Sequence, residues 1–309
     1  MSNRLLQMSG VVADLIYEVE AVPAPAEEAI VTGFTIAPGG GFNAMIAAKR
    51  AGMTVFYGGS VGTGPFASII RQGLAAENIA ALRAPDLTRD QGCCSVMVDP
   101  TGERTFVAAE GAEGHLSLQE LNQIDFTRFD WTLLTGYALH YAGSRPALHH
   151  WLVNADALPN LVFDPAPIVS SLPDDVLQAA TSRARWISAN ACEAAVLTGH
   201  SDPVDAARAL GASRAGGGAV VRLGDKGCIL AGPDGTEHVP AHRIQAVDTN
   251  GAGDAHVGSF IARLARGDPP RQAASYANIA AALSTTQKGP ATAPTDAVVT
   301  GIFARQDAS

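Results

Sequence analysis

The residues best suited to chemistry in this chain form one run, Asp248-Thr249-Asn250-Gly251-Ala252-Gly253-Asp254, directly ahead of a helical stretch. Two glycines flanking an alanine let the backbone turn tightly and aim several N–H groups at one point. At a helix N-terminus such a turn is an anion site, because unpaired donors and the helix dipole both favour negative charge. Asp254 then stands where a carboxylate can take the proton of a hydroxyl facing that anion. Phosphoryl transfer needs this division of labour: amides stabilise charge on the transferred group and a carboxylate activates the nucleophile. The plainer alternative is an aspartate capping a helix after a glycine-rich connection.

A second run, Pro38-Gly39-Gly40-Gly41-Phe42-Asn43-Ala44, precedes an Ala-rich helix with Gly52 placed as its C-terminal cap. Its glycines bring backbone close to a small polar ligand, and Asn43 offers a donor and an acceptor to hydroxyls. The run is neither a GxxxxGK[ST] phosphate loop nor a GxGxxG dinucleotide fingerprint.

Positioning both turns requires strands and helices in alternation. Strands are expected at Thr54–Tyr57, Trp131–Thr135, Leu161–Phe163, Trp186–Ser188, Ala219–Leu223 and Cys228–Ala231. Helices are expected at Ala44–Ala51, Phe66–Ala76, Ser144–Asn154, Asp174–Thr181, Pro203–Leu210, Ala255–Ala265 and Arg271–Thr285. This order implies an α/β fold, a mostly parallel sheet with helices on both faces, and the short apolar strands suit a sheet covered on both sides. One hairpin, Cys93–Asp99 and Glu103–Ala108 around Pro100-Thr101-Gly102, breaks the alternation. With the early stretch it forms a small β lid, residues 13–36 and 93–110, on one domain spanning residues 1–309. Arg104 on this hairpin reads as a solvent-exposed arginine.

Composition narrows the classes. The 309 residues are 47% hydrophobic and carry a formal charge of −9, without a Lys/Arg block, so nucleic acid is not an expected partner. No apolar run approaches the roughly 18 residues of a membrane span, and the start lacks the apolar core of a signal peptide. Cys93, Cys94, Cys192 and Cys228 show no disulfide or metal spacing and read as free thiols of a reducing compartment. A cytoplasmic protein without membrane attachment is expected.

Taken together, the two glycine turns resemble those of the ribokinase-like, or PfkB, carbohydrate kinases, whose distal signature is DTxGAGD and whose proximal one is a glycine turn with an Asn. Asn190-Ala191-Cys192-Glu193 resembles the family's NxxE element. Leu161–Pro167, Val221–Gly227 and Asn278–Pro294 resemble further landmarks in the same order. The resemblance implies a ribokinase-like fold and an ATP-dependent, Mg²⁺-assisted kinase. Asp254 would be the general base, with Gly251, Ala252 and Gly253 forming the anion hole. Asp14, Gly39, Gly40, Asn43 and Tyr137 would meet the sugar. Asn190, Gly224 and Gly227 would line the nucleotide phosphates, and Asn278 the adenine pocket. Glu193 would act on Mg²⁺ through water, and Asp248 would bind a monovalent cation such as K⁺ with carbonyls of Asn250 and the Gly289 region. Homodimerisation through the lid strands is also implied.

Departures bear on the acceptor. The Gly pair and Asn43 are closer together than is usual in the family, and the ribokinase lysine of this turn has no equivalent. Tyr137 stands where ribokinases carry an acidic sugar contact. The expected substrate is therefore a hydroxymethyl group of a small sugar or sugar derivative, with a ribonucleoside or pseudouridine as the alternative, because Tyr137 and Phe42 can stack on a base. A non-catalytic sugar-binding protein on this scaffold would need no base at Asp254. His256 reads as a helix-face residue, not a catalyst.

Overall fold

Neighbouring leucines in the short strands face opposite ways, and both are buried. Leu5 and Leu133 join one apolar cluster, Leu6 and Leu134 another, and all four are inaccessible to solvent. Strand side chains alternate between faces, so this pattern requires a sheet with a core on each side.

The computed structural model describes residues 3–155, 158–212, 214 and 216–306, and its strands form two sheets. In chain order they are β1 (Arg4–Gln7), β2 (Val11–Val19), β3 (Val31–Gly40), β4 (Thr54–Tyr57), β5 (Ala80–Ala81), β6 (Cys93–Val98) and β7 (Arg104–Ala109). There follow β8 (Trp131–Thr135), β9 (Asn160–Asp164), β10 (Trp186–Asn190), β11 (Gly218–Arg222), β12 (Cys228–Gly232) and β13 (Gly235–Val239). The large sheet has the order β13-β12-β11-β10-β9-β8-β1-β4-β5 and the small one β3-β2-β6-β7. From β11 through β5 every neighbouring pair in the large sheet is parallel; β12 and β13 run back antiparallel. Helices cover both faces, as expected for an α/β fold of this strand order.

The expected strands and helices all form, with ends shifted by a few residues. Two elements near the site are additional. Strand β1 escaped notice because Arg4-Leu5-Leu6-Gln7 is too short to display a period. Helix Ala191–Thr198 follows β10 without a break. Asp14, expected just after the first strand, lies inside β2, opposite Ala37 of β3 and Cys94 of β6. Both expected lid segments are in the small sheet, and β3 runs on through Gly39 and Gly40.

Parallel strands deliver their C-terminal residues to one edge, where ligands of such sheets bind. Here that edge collects Thr135, Asp164, Asn190 and Arg222, the last residues of β8, β9, β10 and β11. In register, Thr135 pairs with Asp164 and Asn190 with Arg222. Two helices bring the glycine turns to the same place, Gly41–Arg50 and Ala252–Arg266. Their backbones approach so closely that a Cβ on Gly258 would lie 2.3 Å from the Ala44 carbonyl oxygen. Among the described residues no helix is long and apolar enough to cross a membrane, and the four cysteines are unbridged.

Candidate active site

Helix Ala252–Arg266 begins at Gly251, whose φ of 71° is the left-handed conformation that favours glycine. No side chain caps this end. The Ala252 N–H turns back to the Thr249 carbonyl at 3.3 Å, whereas among the described residues no backbone acceptor meets the N–H groups of Gly253 and Asp254. Of the expected Gly251, Ala252 and Gly253, the Ala252 N–H is thus turned inward, while the Gly253 N–H, with that of Asp254, is left without a backbone acceptor. Asp254 stands in the first helical turn, partly exposed. Burial foremost, then the charge of Asp164, push its carboxyl up to about 7, against the lowering influence of Asn43 and Arg222.

Asn43 differs from expectation. Its Nδ2 donates to Asp254 Oδ2 at 3.3 Å, and its Oδ1 accepts the Ala291 N–H at 3.0 Å. One acceptor and one donor position of the amide go to the protein, so Asn43 joins both glycine turns to the C-terminal segment and keeps one of each for a ligand.

Asp14 is 7% exposed, and among the described residues its carboxyl accepts no hydrogen bond; burial raises it to about 7. It lies so close to the second turn that a Cβ on Gly39 would stand 2.0 Å from Asp14 Oδ2. Gly40, with φ of 60°, turns the chain out of β3 into the helix, and the Gly41 N–H donates to the Gly10 carbonyl at 2.9 Å. The Asp14 charge contributes, as the smallest of the named influences, to raising Asp254. Tyr137 is 44% exposed; burial first and then the Asp254 charge raise its hydroxyl to about 12.

Beside Ala252 and Gly253 opens a cavity of about 770 Å³, walled among others by Asn190, Gly224, Gly227 and Asn278. The four residues expected to meet the nucleotide all border it. Asn278, however, uses Nδ2 to hold the Val239 and Pro240 carbonyls, both at 3.0 Å, so its donors are not free for a base. Asn190 and Glu193 are bound to each other in a reciprocal N-terminal cap of helix Ala191–Thr198. Another cavity, about 430 Å³, lies apart from these residues, around Arg83, His115 and Glu120.

Arg222 and Asp164 were not singled out from the sequence. The Arg222 guanidinium donates to Asp164 Oδ2 at 2.9 Å, to Ser188 Oγ, and to Glu193 Oε2 at 3.4 Å. It also lies against Gly253, where a Cβ would be 3.6 Å from its Nε. Burial lowers its pKa, but the two carboxylates outweigh burial and the net shift is upward. Glu193 is raised, mainly by burial. The clue in the sequence was a lone arginine ending an otherwise apolar strand just before Gly224.

Mg²⁺ is implied by the family resemblance, and the donor set constrains how it could be held. Both Glu193 oxygens accept from Asn190, and Asp164 accepts from Arg222 and from the Ala166 N–H. No group of three or more His, Cys, Asp or Glu is placed for a metal among the described residues. These residues fit an ion carried by phosphate oxygens and its own waters, the usual habit of Mg²⁺.

The monovalent-cation site implied for Asp248 does not fit. Its carboxylate accepts the N–H of Asn250 at 2.7 Å and of Gly289 at 2.9 Å, and it is ion-paired with Arg104. A further positive charge about 4 Å from the guanidinium would be opposed by about 4 kcal/mol at an effective dielectric near 20. Arg104 is accordingly not the exposed hairpin arginine expected; its side chain is 13% exposed.

His256 is buried on the helix face toward the cavity of about 770 Å³, and neither ring nitrogen meets a partner in hydrogen-bond geometry. Burial foremost, aided by the Arg222 charge, lowers its pKa to about 3, so the ring is neutral.

This chain is similar over most of its length to known kinases. The sequence profile of the pfkB family carbohydrate kinases matches residues 6–297. An uncharacterised sugar kinase, YegV, of Escherichia coli K12 is 28% identical over 94% of this chain and 91% of its own. A fructokinase of Klebsiella pneumoniae is 32% identical over 83% of this chain and 88% of its own. In fold, the chain is similar to the crystal structure of a Thermotoga maritima ribokinase, with a TM-score of 0.81 at 21% identity, covering 99% of this chain and 100% of that one.

Proposed function

The chain belongs to the pfkB family of carbohydrate kinases, phosphotransferases with a hydroxyl acceptor, and from that premise we propose that it moves the terminal phosphoryl group of ATP to a hydroxymethyl group of a small sugar or sugar derivative. One observation carries this reading. The Asp254 carboxyl, raised to about 7, follows Gly253 on the wall of the large cavity and is held by Asn43, whose glycine turn packs against the buried, unpartnered Asp14.

The division of roles follows from position. Gly224, Gly227 and the Asn190 end of β10 border the nucleotide phosphates, and the N–H groups of Gly253 and Asp254 receive the terminal one. Arg222, held by Asp164 and Glu193, sets a fixed positive charge beside those amides, where negative charge spreads in the transition state. Asn190 with Glu193 would meet the waters of a Mg²⁺ carried by the nucleotide, which would supply neutralisation of phosphate charge. Asp14 accepts hydrogen bonds from acceptor hydroxyls, beside Gly39 and Gly40, and so gains the donors it lacks. The ionised Asp254 removes the proton of the attacking hydroxyl as its oxygen bonds to phosphorus and ADP leaves. Asn43 orients that carboxylate.

The small sheet serves as the lid that excludes water, without which ATP would be hydrolysed. Phe34, Ile36, Phe106 and Val107 expose apolar surface on it, which supports pairing of two copies through this sheet. The unbridged cysteines support a reducing, cytoplasmic location.

The test is an acceptor panel with γ-labelled ATP covering aldoses, ketoses, deoxysugars and nucleosides. Transfer to free sugars is expected. Transfer to nucleosides alone would replace the sugar with a base-bearing acceptor stacked on Tyr137, and no transfer to any acceptor would overturn the kinase reading.

A further inference from the structure

Arg104 opens β7 at the edge of the small sheet, far in sequence from the loop it reaches. Its Nη2 is bonded to Asp248 Oδ1 and its Nη1 lies 3.3 Å from Thr249 Oγ1. The same Asp248 oxygen accepts the Asn250 N–H, so one carboxylate shapes the first residues of the glycine turn and holds the guanidinium. Both side chains are mostly withdrawn from solvent, at 13% and 16% exposure, so solvent screens the pair weakly. Lys288 and Glu18, 2.8 Å apart, form a second link between the small sheet and the adjoining C-terminal turn.

We infer that Arg104 is the built-in cation of the Asp248 loop, so that phosphoryl transfer by this chain needs no monovalent metal ion. A carboxylate with a guanidinium on one oxygen and amide donors on both has its charge compensated from within. Arg104 acts through Asp248, which fixes the loop 248–251 and through it the amides of the following helix; it is a positioning residue. Because it is carried by the small sheet, its charge reaches the loop only while that sheet lies over the site. The inference rests on the kinase reading for its effect on turnover, but not for its effect on ion binding.

Two readouts on the full chain separate these. Melting temperature and, with the best acceptor of the panel, turnover are measured in potassium chloride and in tetramethylammonium chloride at equal ionic strength. For the unaltered chain both quantities are expected to be the same in the two salts. Arg104→Ala should lower turnover and make both quantities respond to potassium, since the vacated carboxylate then binds an ion that stabilises the fold. Arg104→Lys, which keeps a charge, should remain indifferent to potassium. Should Arg104→Ala fail to fold, Arg104→Gln carries the same expectation. Potassium activation of the unaltered chain, or truncated variants that lose turnover without gaining any potassium response, would overturn the inference. Absence of turnover in either salt, with the melting pattern intact, would instead sink the kinase reading alone.

Discussion

Asn43 Nδ2 reaches Asp254 Oδ2 at 3.3 Å across 211 residues of sequence. The contact exists because helices Gly41–Arg50 and Ala252–Arg266 cross at Gly258, where no side chain intervenes. Their N-terminal ends, each preceded by a glycine turn, are thereby fixed side by side. The Asp254 carboxylate at that junction follows Gly253, which lines the cavity of about 770 Å³, and its Asn43 partner belongs to the turn that packs against Asp14.

The first prediction concerns pH. Asp254 is raised from 3.8 to about 7. A base works only when ionised, so kcat/KM should fall as pH drops below about 7 and level off above it. Asp14, raised likewise, interacts with it, so the apparent value belongs to the pair. For stability the sign is opposite. The folded chain holds these protons more tightly than the unfolded one, so their contribution is full below the ordinary carboxylate range and is lost as pH rises towards 7. A kcat/KM profile flat from about pH 5.5 to 8.5 would contradict the assignment.

Gly39→Ala tests the acceptor side. The added methyl would stand 2.0 Å from Asp14 Oδ2 and must displace that carboxyl, while the backbone tolerates alanine. The KM for the acceptor should rise by about tenfold or more, as expected when a positioning contact shifts by an ångström. The KM for ATP should stay unchanged. An unaltered acceptor KM would show that Asp14 does not bind it.

Arg222→Met would leave Asp164 and Glu193 without their shared cation. Breaking a buried ion pair on one side costs about 3–5 kcal/mol, and Tm should fall by on the order of 10 °C. Adding Asp164→Asn should restore part of the loss, because one uncompensated charge is then removed. A melting curve unchanged by Arg222→Met would contradict the burial argument.

His256→Phe should stabilise the chain by about 1–3 kcal/mol, because it removes a buried ring whose nitrogens lack partners. The gain should grow in acid. His256 is lowered from 6.5 to about 3, so between those values the unfolded chain binds a proton that the folded one refuses. Stability is therefore lost as pH falls through that window, and the phenylalanine variant should be spared this loss. Melting curves at neutral and mildly acid pH measure both effects.

The parts of the site written in backbone conformation were legible in the sequence. Gly251 and Gly40 mark positive φ, and Gly39 marks the close approach of Asp14. Only glycine meets such demands without strain, so its placement records the turn. The alternating strands and helices were legible for a similar reason, since one hydrophobic period accompanies each element. Contacts that depend on register between distant strands were not. Arg222 meets Asp164 only because β9, β10 and β11 are adjacent, with Asn190 opposite Arg222 and β9 ending two residues short of β10. Arg104 meets Asp248 only because the small sheet brings it to the turn that starts at Asp248, and nothing local to Arg104 distinguishes it from a solvated arginine. Asn43 and Asn278 were found, but their hydrogen bonds go to the protein, which residue type cannot announce.

The central claim is that Asp254 takes the proton of the acceptor hydroxyl, and the most direct measurement is turnover of Asp254→Asn beside its affinity for ATP. Asparagine keeps the shape and can still pair with Asn43, but it cannot accept the proton. The account predicts turnover lower by on the order of 10² or more with ATP affinity retained. Turnover close to that of the unaltered chain would contradict it.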